Sequence, residues 1–284
     1  MATGAETRPF RVLIAGAGIA GLATAISLSR FAGIANLDVQ LYEQTPELQL
    51  LEIGASIALS PDVQFPSTIC LVMSVELNKY IEQGIRTLEK LGVYNAFTDE
   101  VGFRGPRGIP QISRHWKTSQ VMSADTHRNV PEPRHHTTRF HRGDLQAALL
   151  EHVPRESIHL GKKLLHADAS ENGVILYFEG GTILIGTDGL KKSDSPLSRP
   201  ISSASRASVF MRSTFDASLV VGKIPELPED SMHWWGPEDN FFASRLGKGQ
   251  YTTVGAYSDS RPPDEVERTA AWDAKGDLNF LREK

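Results

Sequence analysis

The sequence predicts an α/β fold that opens with a Rossmann-like dinucleotide-binding unit and continues into a mostly β region. An apolar run at residues 11–15 is typical of a buried parallel strand, and a glycine-rich turn follows it at residues 16–21. Residues 19–31 are rich in alanine, leucine and isoleucine and predict a helix, after which residues 37–43 alternate as a second strand. A strand, a helix and a strand in this order form a right-handed βαβ crossover.

Beyond this crossover the sequence predicts two further helices and two β-rich stretches. Leu145, Ala148 and Leu149 fall on one helical face, and Pro154 follows the helix that they define. The predicted helices cover residues 84–92 and 144–153, and the β-rich stretches cover residues 158–186 and 232–257, with a hairpin turn at residues 247–249. The serine-rich segment 193–213 has little periodicity, and we predict it to be a loop or disordered.

The composition of the 284 residues, 40% hydrophobic and 23% charged, is ordinary for a globular protein and allows one large domain or two modest ones. A formal net charge of −4 argues against a nucleic acid or an anionic membrane surface as a partner. The uncharged run at residues 12–29 contains the glycines of the turn, so we predict a buried strand and helix rather than a membrane span. Cys70 is the only cysteine, which excludes an intrachain disulfide and favours a reducing compartment, the cytoplasm.

The turn at residues 16–21 matches the phosphate-binding pattern G-x-G-x-x-G. Gly16 permits the tight turn out of the strand, Gly18 lets the backbone approach a pyrophosphate, and Gly21 allows close packing of helix on strand. The helix N-terminus offers unpaired N–H groups and the positive end of a dipole to the phosphates. Glu43 ends the second strand, where its carboxylate can accept hydrogen bonds from a ribose hydroxyl and would repel the 2′-phosphate of NADP. The motif predicts a dinucleotide and leaves FAD and NAD open.

No catalytic residue can be named from the sequence. It contains no H-E-x-x-H, no paired C-x-x-C and no G-x-S-x-G, so we predict neither a bound metal nor a hydrolytic nucleophile. The adjacent histidines at positions 135 and 136 point apart, and no carboxylate completes a metal site with them. The candidates for a proton acceptor are five histidines: His115, His135, His136, His141 and His233.

Five further segments carry a resemblance to a known family. They are residues 51–57 (Leu-Glu-Ile-Gly-Ala-Ser-Ile), 139–145 (Arg-Phe-His-Arg-Gly-Asp-Leu), 185–190 (Ile-Gly-Thr-Asp-Gly-Leu), 234–237 (Trp-Trp-Gly-Pro) and 240–243 (Asn-Phe-Phe-Ala). Together with the glycine-rich turn and Glu43, they resemble the class A flavoprotein monooxygenases, the family of p-hydroxybenzoate and salicylate hydroxylases. The chain is most similar to the fungal salicylate-hydroxylase-like branch, and the scattered matches cover most of its length.

This resemblance implies FAD as the bound cofactor and a role for each matched position. Arg142 has the alternative role of a helix-start residue paired with Asp144, and an Asp-Gly pair is also an ordinary turn. In the family's pattern, Gly16, Gly18 and Gly21 would hold the FAD pyrophosphate, Glu43 would bind the adenosine ribose, Ser56 would contribute backbone contacts beside the flavin, Arg142 would contact the flavin, and Asp188 with Gly189 would form a second nucleotide motif that serves FAD and the nicotinamide donor.

The implied activity is hydroxylation of a phenolic or salicylate-like aromatic substrate, with NADH or NADPH as the electron donor and O2 as the oxidant. Two alternatives stay open. One is an NAD-dependent dehydrogenase or reductase built on the same βαβ unit, and the other is an inactive, truncated flavoprotein fragment. The identity of the substrate, the choice between NADH and NADPH and the oligomeric state do not follow from the sequence.

The resemblance also predicts two domains. Residues 1–190 would form the FAD-binding domain, in which residues 63–83 interrupt a family-like loop and helix as a non-family insertion. Residues 191–284 would form a partial, β-rich substrate domain. The family's third nucleotide motif, Gly-Asp-Ala-Ala-His or similar, is not found, so we expect the fold to be incomplete at the C-terminus.

Overall fold

The chain divides into two compact units, and each is assembled from segments that are separated in sequence. The first comprises residues 1–51, 89–96 and 143–202, and the second comprises residues 52–88, 97–142 and 203–284. The two predicted domains, residues 1–190 and 191–284, are each continuous in sequence, and this division stays a prediction. The computed structural model describes residues 10–48, 56–60, 84–105, 109, 111–124, 127, 130–164, 166–170, 173–177, 184–186, 208–225, 227 and 231–258.

Strands outnumber helices in this part of the chain. The helices are α1 (Ile19–Phe31), α2 (Ile85–Lys90) and α3 (Arg142–Leu150). None of the helices among the described residues is long and apolar enough to cross a membrane. The strands are β1 (Phe10–Ala15), β2 (Leu37–Tyr42), β3 (Ser56–Leu59), β4 (Gly102–Phe103), β5 (Ile112–His115), β6 (Val121–Ala124), β7 (Thr138–His141), β8 (Ile158–His159), β9 (His166–Ser170), β10 (Gly173–Tyr177), β11 (Leu184–Gly186), β12 (Ser208–Asp216), β13 (Met232–Trp235), β14 (Asn240–Arg245) and β15 (Gln250–Ser258).

A parallel four-stranded sheet with the order β11-β1-β2-β8 is the centre of the first unit. β1 and β2 pair along their whole length, and α1 connects them and packs on both. The structure therefore contains the predicted βαβ crossover, and α1 has the predicted bounds. Strands β9 and β10 form a separate antiparallel pair.

Large aliphatic side chains fix α1 against this sheet. Leu22 and Ile26 lie one helical turn apart on α1, and both are almost fully buried. Leu13 and Ile14 point to opposite faces of β1 and are also buried, so the sheet is covered on both sides. Burial of each such side chain stabilises the fold by roughly 1.5–3 kcal/mol. This packing holds the turn between β1 and α1 in place.

The two later helices are shorter than predicted, and each shortening has a local cause. Helix α2 ends at Lys90, and Gly92 follows with a φ of 66°, a left-handed conformation that stops helices. Helix α3 starts at Arg142 and ends at Leu150. Beyond it, the N–H of His152 donates to the carbonyl of Leu149 at 3.0 Å, which is the tighter spacing of a 3₁₀ turn.

The second unit contains a six-stranded sheet and a three-stranded sheet. The larger has the order β12-β15-β14-β13-β5-β6, and its neighbours are antiparallel except β13 and β5. The smaller is antiparallel and has the order β3-β7-β4. The predicted β-rich stretch 232–257 is observed as β13, β14 and β15. Its predicted turn is observed too, with φ values of 54° at Lys248 and 65° at Gly249.

The prediction of a loop at residues 193–213 is wrong for its last part. Strand β12 pairs with β15 over nine residues, from Ser208 opposite Ser258 to Asp216 opposite Gln250. A continuous ladder to a long partner strand overrides the polar composition that suggested a loop. Residues 193–207 and the predicted insertion at residues 63–83 lie outside the described residues.

A chain of side-chain hydrogen bonds joins the C-terminal ends of α1 and α3. The guanidinium of Arg30 donates to the carbonyl of Leu91 and, at 3.1 Å, to Nδ1 of His152. Because Nδ1 accepts, the neutral imidazole carries its proton on Nε2, which donates to Oδ1 of Asn95 at 3.0 Å. Burial lowers the pKa of His152, and the charge of Arg30 lowers it further, whereas Glu151 opposes the shift.

A buried tyrosine lies in the core of the second unit. Tyr251 is 0% exposed, stacks on Phe215 at a centroid distance of 5.8 Å, and packs with Ala217, Val220 and Ala243. Its hydroxyl has no hydrogen-bond partner among the described residues. Burial raises the pKa of Tyr251 to about 12, and the positive charge of Arg139 opposes this shift. The hydroxyl is thus held neutral in an apolar environment.

Because the pKa of His152 is lower in the folded chain than its unfolded value near 6.5, the unfolded chain binds more protons as the pH falls through that value. The free energy of unfolding should therefore decrease from about pH 7.5 to about pH 5.5. In His152→Gln the amide can make both hydrogen bonds without titrating, so the decrease should be smaller. Urea unfolding at both pH values measures the decrease in the free energy of unfolding. Ser29→Ala, at an exposed position that does not titrate, is the control and should keep the wild-type pH dependence.

Replacing Tyr251 by phenylalanine removes a buried hydroxyl and keeps the ring. We expect Tyr251→Phe to raise the free energy of unfolding by about 1 kcal/mol, because the desolvated hydroxyl no longer has to be buried. Thermal and urea unfolding measure the change. A loss of more than about 1 kcal/mol would show that the hydroxyl is hydrogen-bonded in the folded protein.

Candidate dinucleotide-binding site

The glycine-rich turn lies between β1 and α1, as predicted. Gly16 has a φ of 94°, which L-residues with a side chain rarely adopt, and its N–H donates to the carbonyl of Tyr42 at 2.8 Å. Gly18 is extended and caps α1, and its carbonyl accepts from the N–H of Leu22 at 3.0 Å. Gly21 is buried within the helix. Each glycine therefore occupies a position that suits its predicted role.

The start of α1 is open to an anion. Apart from its chain neighbours, no atom of the described residues would lie within 4 Å of a Cβ built on Gly18, so the backbone there faces open space. No side chain caps the helix, and no acidic residue lies in its first turn. The 13-residue helix consequently presents its first N–H groups and its positive dipole end at this point. Such a terminus favours a phosphate.

Glu43 faces the turn. One carboxylate oxygen, Oε2, accepts from the backbone N–H of Ala17 at 2.9 Å. The other, Oε1, accepts from the N–H of Thr45 at 3.0 Å and from its hydroxyl at 3.1 Å. The acid at the end of β2 therefore holds the middle of the glycine-rich turn and its own following loop together.

Gln146 is a residue of this site that the sequence analysis missed. Its side-chain amide on α3 donates to the carbonyl of Ala17 at 2.9 Å. Ala17 is thus held at both backbone polar groups, by Glu43 on one side and by Gln146 on the other. Only its place on a helix that begins at Arg142, a predicted site residue, could have drawn attention to it.

The remaining predicted site residues are distributed over other elements. Ser56 begins β3 in the second unit and pairs with His141, and Arg142 follows as the exposed first residue of α3. Asp188 and Gly189 lie outside the described residues. The structure thus brings Gly16, Gly18, Gly21 and Glu43 together in the first unit, and the roles of all these residues stay predictions.

The five candidate histidines do not gather into one site. The imidazole of His115 accepts from the N–H of Lys117 within its own turn, and His135 and His141 are buried. His136 hydrogen-bonds the carbonyl of Val130. Among the described residues, no group of three or more histidine, cysteine, aspartate or glutamate side chains could hold a metal ion.

The chain is similar in sequence to several monooxygenases. It is 27% identical over 281 residues to a 6-methylsalicylate 1-monooxygenase of Aspergillus terreus, which covers 89% of this chain and 57% of that protein. It is 27% identical over 192 residues to a 6-hydroxynicotinate 3-monooxygenase of Pseudomonas fluorescens, and the match covers 63% of this chain and 40% of that protein. It is 26% identical over 196 residues to a salicylate hydroxylase of Pseudomonas putida, covering 66% and 38%. The chain therefore spans well under two thirds of each relative. No protein-family profile matches it.

Solved structures share the fold. A salicylate hydroxylase in a substrate complex superposes with a TM-score of 0.59 at 18% identity, covering 94% of this chain and 59% of that one. HpxO of Klebsiella pneumoniae, complexed with FAD and uric acid, superposes with a TM-score of 0.57 at 17% identity, and the match covers 89% of this chain and 58% of that one. These structures confirm the predicted α/β fold class. The sequence relatives confirm the predicted resemblance to flavoprotein monooxygenases.

Glu43→Gln should destabilise the first unit. An amide has one oxygen, so at least one N–H donor of Ala17 or Thr45 would face an NH2 group instead of an acceptor. We expect the free energy of unfolding to fall by about 1–2 kcal/mol. Glu47→Gln, an exposed glutamate in the same segment, is the matched control and should change it by less than about 0.5 kcal/mol. Equal stabilities for the two variants would show that Glu43 does not hold the turn.

Proposed function

We propose that this chain, a relative of the class A FAD-dependent aromatic monooxygenases, uses FAD, NADH or NADPH, and O2 to hydroxylate a phenolic or salicylate-like aromatic compound. The reaction named for its sequence relatives supports this class of activity. The hydrogen bond from Ala17 to Glu43 carries the proposal, because it joins a phosphate-binding turn to a ribose-binding acid in one unit.

The residues of the first unit fit the adenosine diphosphate half of FAD. The open space at Gly18 admits a bulky group against the backbone, and the uncapped first turn of α1 supplies donors for a diphosphate. Glu43 would accept a hydrogen bond from a ribose hydroxyl in addition to those it already accepts. A 2′-phosphate at the same place would be repelled by the carboxylate, which disfavours NADP in this turn.

Bound FAD would supply the redox chemistry, taking electrons from the nicotinamide donor and passing them to O2. The chain would hold and orient the groups that react. The turn and Glu43 would fix the adenosine end of the cofactor. Ser56, Arg142 and the Asp188-Gly189 pair are the proposed contacts elsewhere on the nucleotide and flavin.

The proposal specifies small-molecule partners, an aromatic substrate and O2, and places the protein in the cytoplasm. The single cysteine supports a reducing compartment. The net charge of −4 supports neither a nucleic acid nor an anionic membrane as a partner. An NAD-dependent dehydrogenase and an inactive flavoprotein fragment become outcomes of the experiments below.

Gly18→Ala separates cofactor binding from folding. Apart from its chain neighbours, the added methyl group meets no atom within 4 Å in the part of the chain that the structure describes, so circular dichroism and thermal unfolding should match the wild type. The methyl would occupy the approach of the diphosphate, so FAD should bind at least about tenfold more weakly in a fluorescence titration. Ser29→Ala, at the exposed far end of α1, should bind FAD like the wild type. Unchanged affinity in Gly18→Ala would remove the turn as the diphosphate site.

The activity is tested with the FAD-loaded chain. We expect NADH or NADPH oxidation to be stimulated by phenol or salicylate, and the hydroxylated product to incorporate oxygen from ¹⁸O2. Product formation without flavin, coupled to NAD reduction, would indicate a dehydrogenase. Failure to bind FAD and to oxidise the nicotinamide would indicate an inactive chain.

A further inference from the structure

An aromatic cluster on the six-stranded sheet is not used by the dinucleotide site. His233 and Trp235 are two residues apart on β13 and therefore lie on one face of the sheet. Their rings stack at a centroid distance of 4.0 Å, and Phe242 packs edge-on against His233 at 5.9 Å. Trp235 remains 45% exposed, so part of the indole is accessible to another ring.

Hydrogen bonds fix the orientation of a neighbouring amide. The side-chain N–H of Gln111 donates to Nδ1 of His233 at 3.3 Å. The proton of the neutral imidazole is therefore on Nε2, which donates to Oδ1 of Asn240 at 3.0 Å. With Oδ1 turned to the histidine, Asn240 presents its Nδ2 donors away from it. Within the part of the chain that the structure describes, these donors have no acceptor.

Asn240 and Trp235 are adjacent in space. They are directly opposite each other in the register of β13 and β14. Cβ atoms of such antiparallel partners are about 4.5–5.5 Å apart. A ligand ring stacked on the exposed indole would therefore bring a substituent beside the amide N–H groups.

We propose that Trp235 and Asn240 bind an aromatic ring that carries a hydroxyl group. The ring stacks on the indole, and the hydroxyl oxygen accepts a hydrogen bond from Nδ2 of Asn240. Gln111 and His233 are positioning residues, because they act by setting which end of the amide faces the ligand. This inference rests on the proposed function, since it names the surface that takes the phenolic substrate.

The chemistry beside Asn240 suits a neutral hydroxyl at this end of the ring. The loop that joins Trp235 to Asn240 contains two acidic residues, Glu238 and Asp239. The donor itself is a neutral amide, which suits a neutral acceptor such as a hydroxyl oxygen. The phenolic oxygen, shared by simple phenols and salicylates, is the group that this pair recognises.

Ligand binding to the full chain tests the proposed site without a measurement of catalytic activity. Phenol, toluene and benzoate would be titrated while tryptophan fluorescence is recorded. We expect phenol to quench saturably and to bind at least about fivefold more tightly than toluene or benzoate. Trp235→Phe should lose the signal, whereas Trp234→Phe should keep it. Trp234 is the matched control, because its indole lies on the other face and donates to the hydroxyl of Ser119 at 3.2 Å. Tighter binding of benzoate would overturn the ligand class.

The amide and its orientation are tested by near-isosteric changes. Asn240→Leu removes the donors and should weaken phenol binding about fivefold to tenfold. Gln111→Met removes the donor to Nδ1 and should weaken it less. Imidazole ¹⁵N NMR should then show His233 changing from the Nε2–H tautomer to a mixture, which a merely structural role would not produce. Wild-type affinity for phenol in a folded Asn240→Leu protein would overturn the inference.

FAD titration of the same variants separates the two proposals. All should bind FAD like the wild type. If the wild type binds phenol at Trp235 but takes up no FAD, the proposed function fails and this inference stands. If phenol stimulates NADH oxidation equally in the wild type, Trp235→Phe and Asn240→Leu, the proposed function stands and this inference fails.

Discussion

The hydrogen bond between the N–H of Ala17 and the carboxylate of Glu43 is the constraint on which the candidate site depends. It ties the turn that opens α1 to the loop that follows β2, two segments that the parallel pairing of β1 and β2 brings to the same edge of the sheet. The same carboxylate also holds Thr45. The turn is thereby fixed by contacts within the protein, which would lower the ordering cost of the proposed binding.

The apolar packing beneath the turn gives that hydrogen bond its rigidity. Leu22 and Ile26 anchor α1 on the sheet, and Gln146 from α3 holds the carbonyl of Ala17. The polar site is therefore supported by three elements of the first unit. The second unit has its own constraint, the six-stranded sheet. Its strand pairings position the aromatic cluster of His233, Trp235 and Phe242, and the hydrogen bonds that connect Gln111, His233 and Asn240.

Local patterns sufficed to predict the β1–α1–β2 crossover of the first unit, and non-local contacts explain what they missed. The bounds of α1 and the approach of Glu43 to the turn follow from strand and helix periodicity plus a right-handed crossover. Strand β12 could not be predicted from composition, because its stability comes from β15, a partner distant in sequence. Gln146 acts 129 residues away from Ala17, and Gln111 acts 122 residues away from His233, so no local window contains either contact.

The hairpin of β13 and β14 constrains how the face that carries Trp235 and Asn240 can vary. Side chains along a strand alternate between the two faces, and the register sets Trp235 opposite Asn240 and Trp234 opposite Phe241. Deleting one residue from the short connection at residues 236–239, with the turn otherwise kept, would put Phe241 opposite Trp235, where the amide of Asn240 now stands. If the preferred aromatic ligand changes during evolution, we therefore expect side chains to be replaced at fixed positions while the length of this connection is preserved.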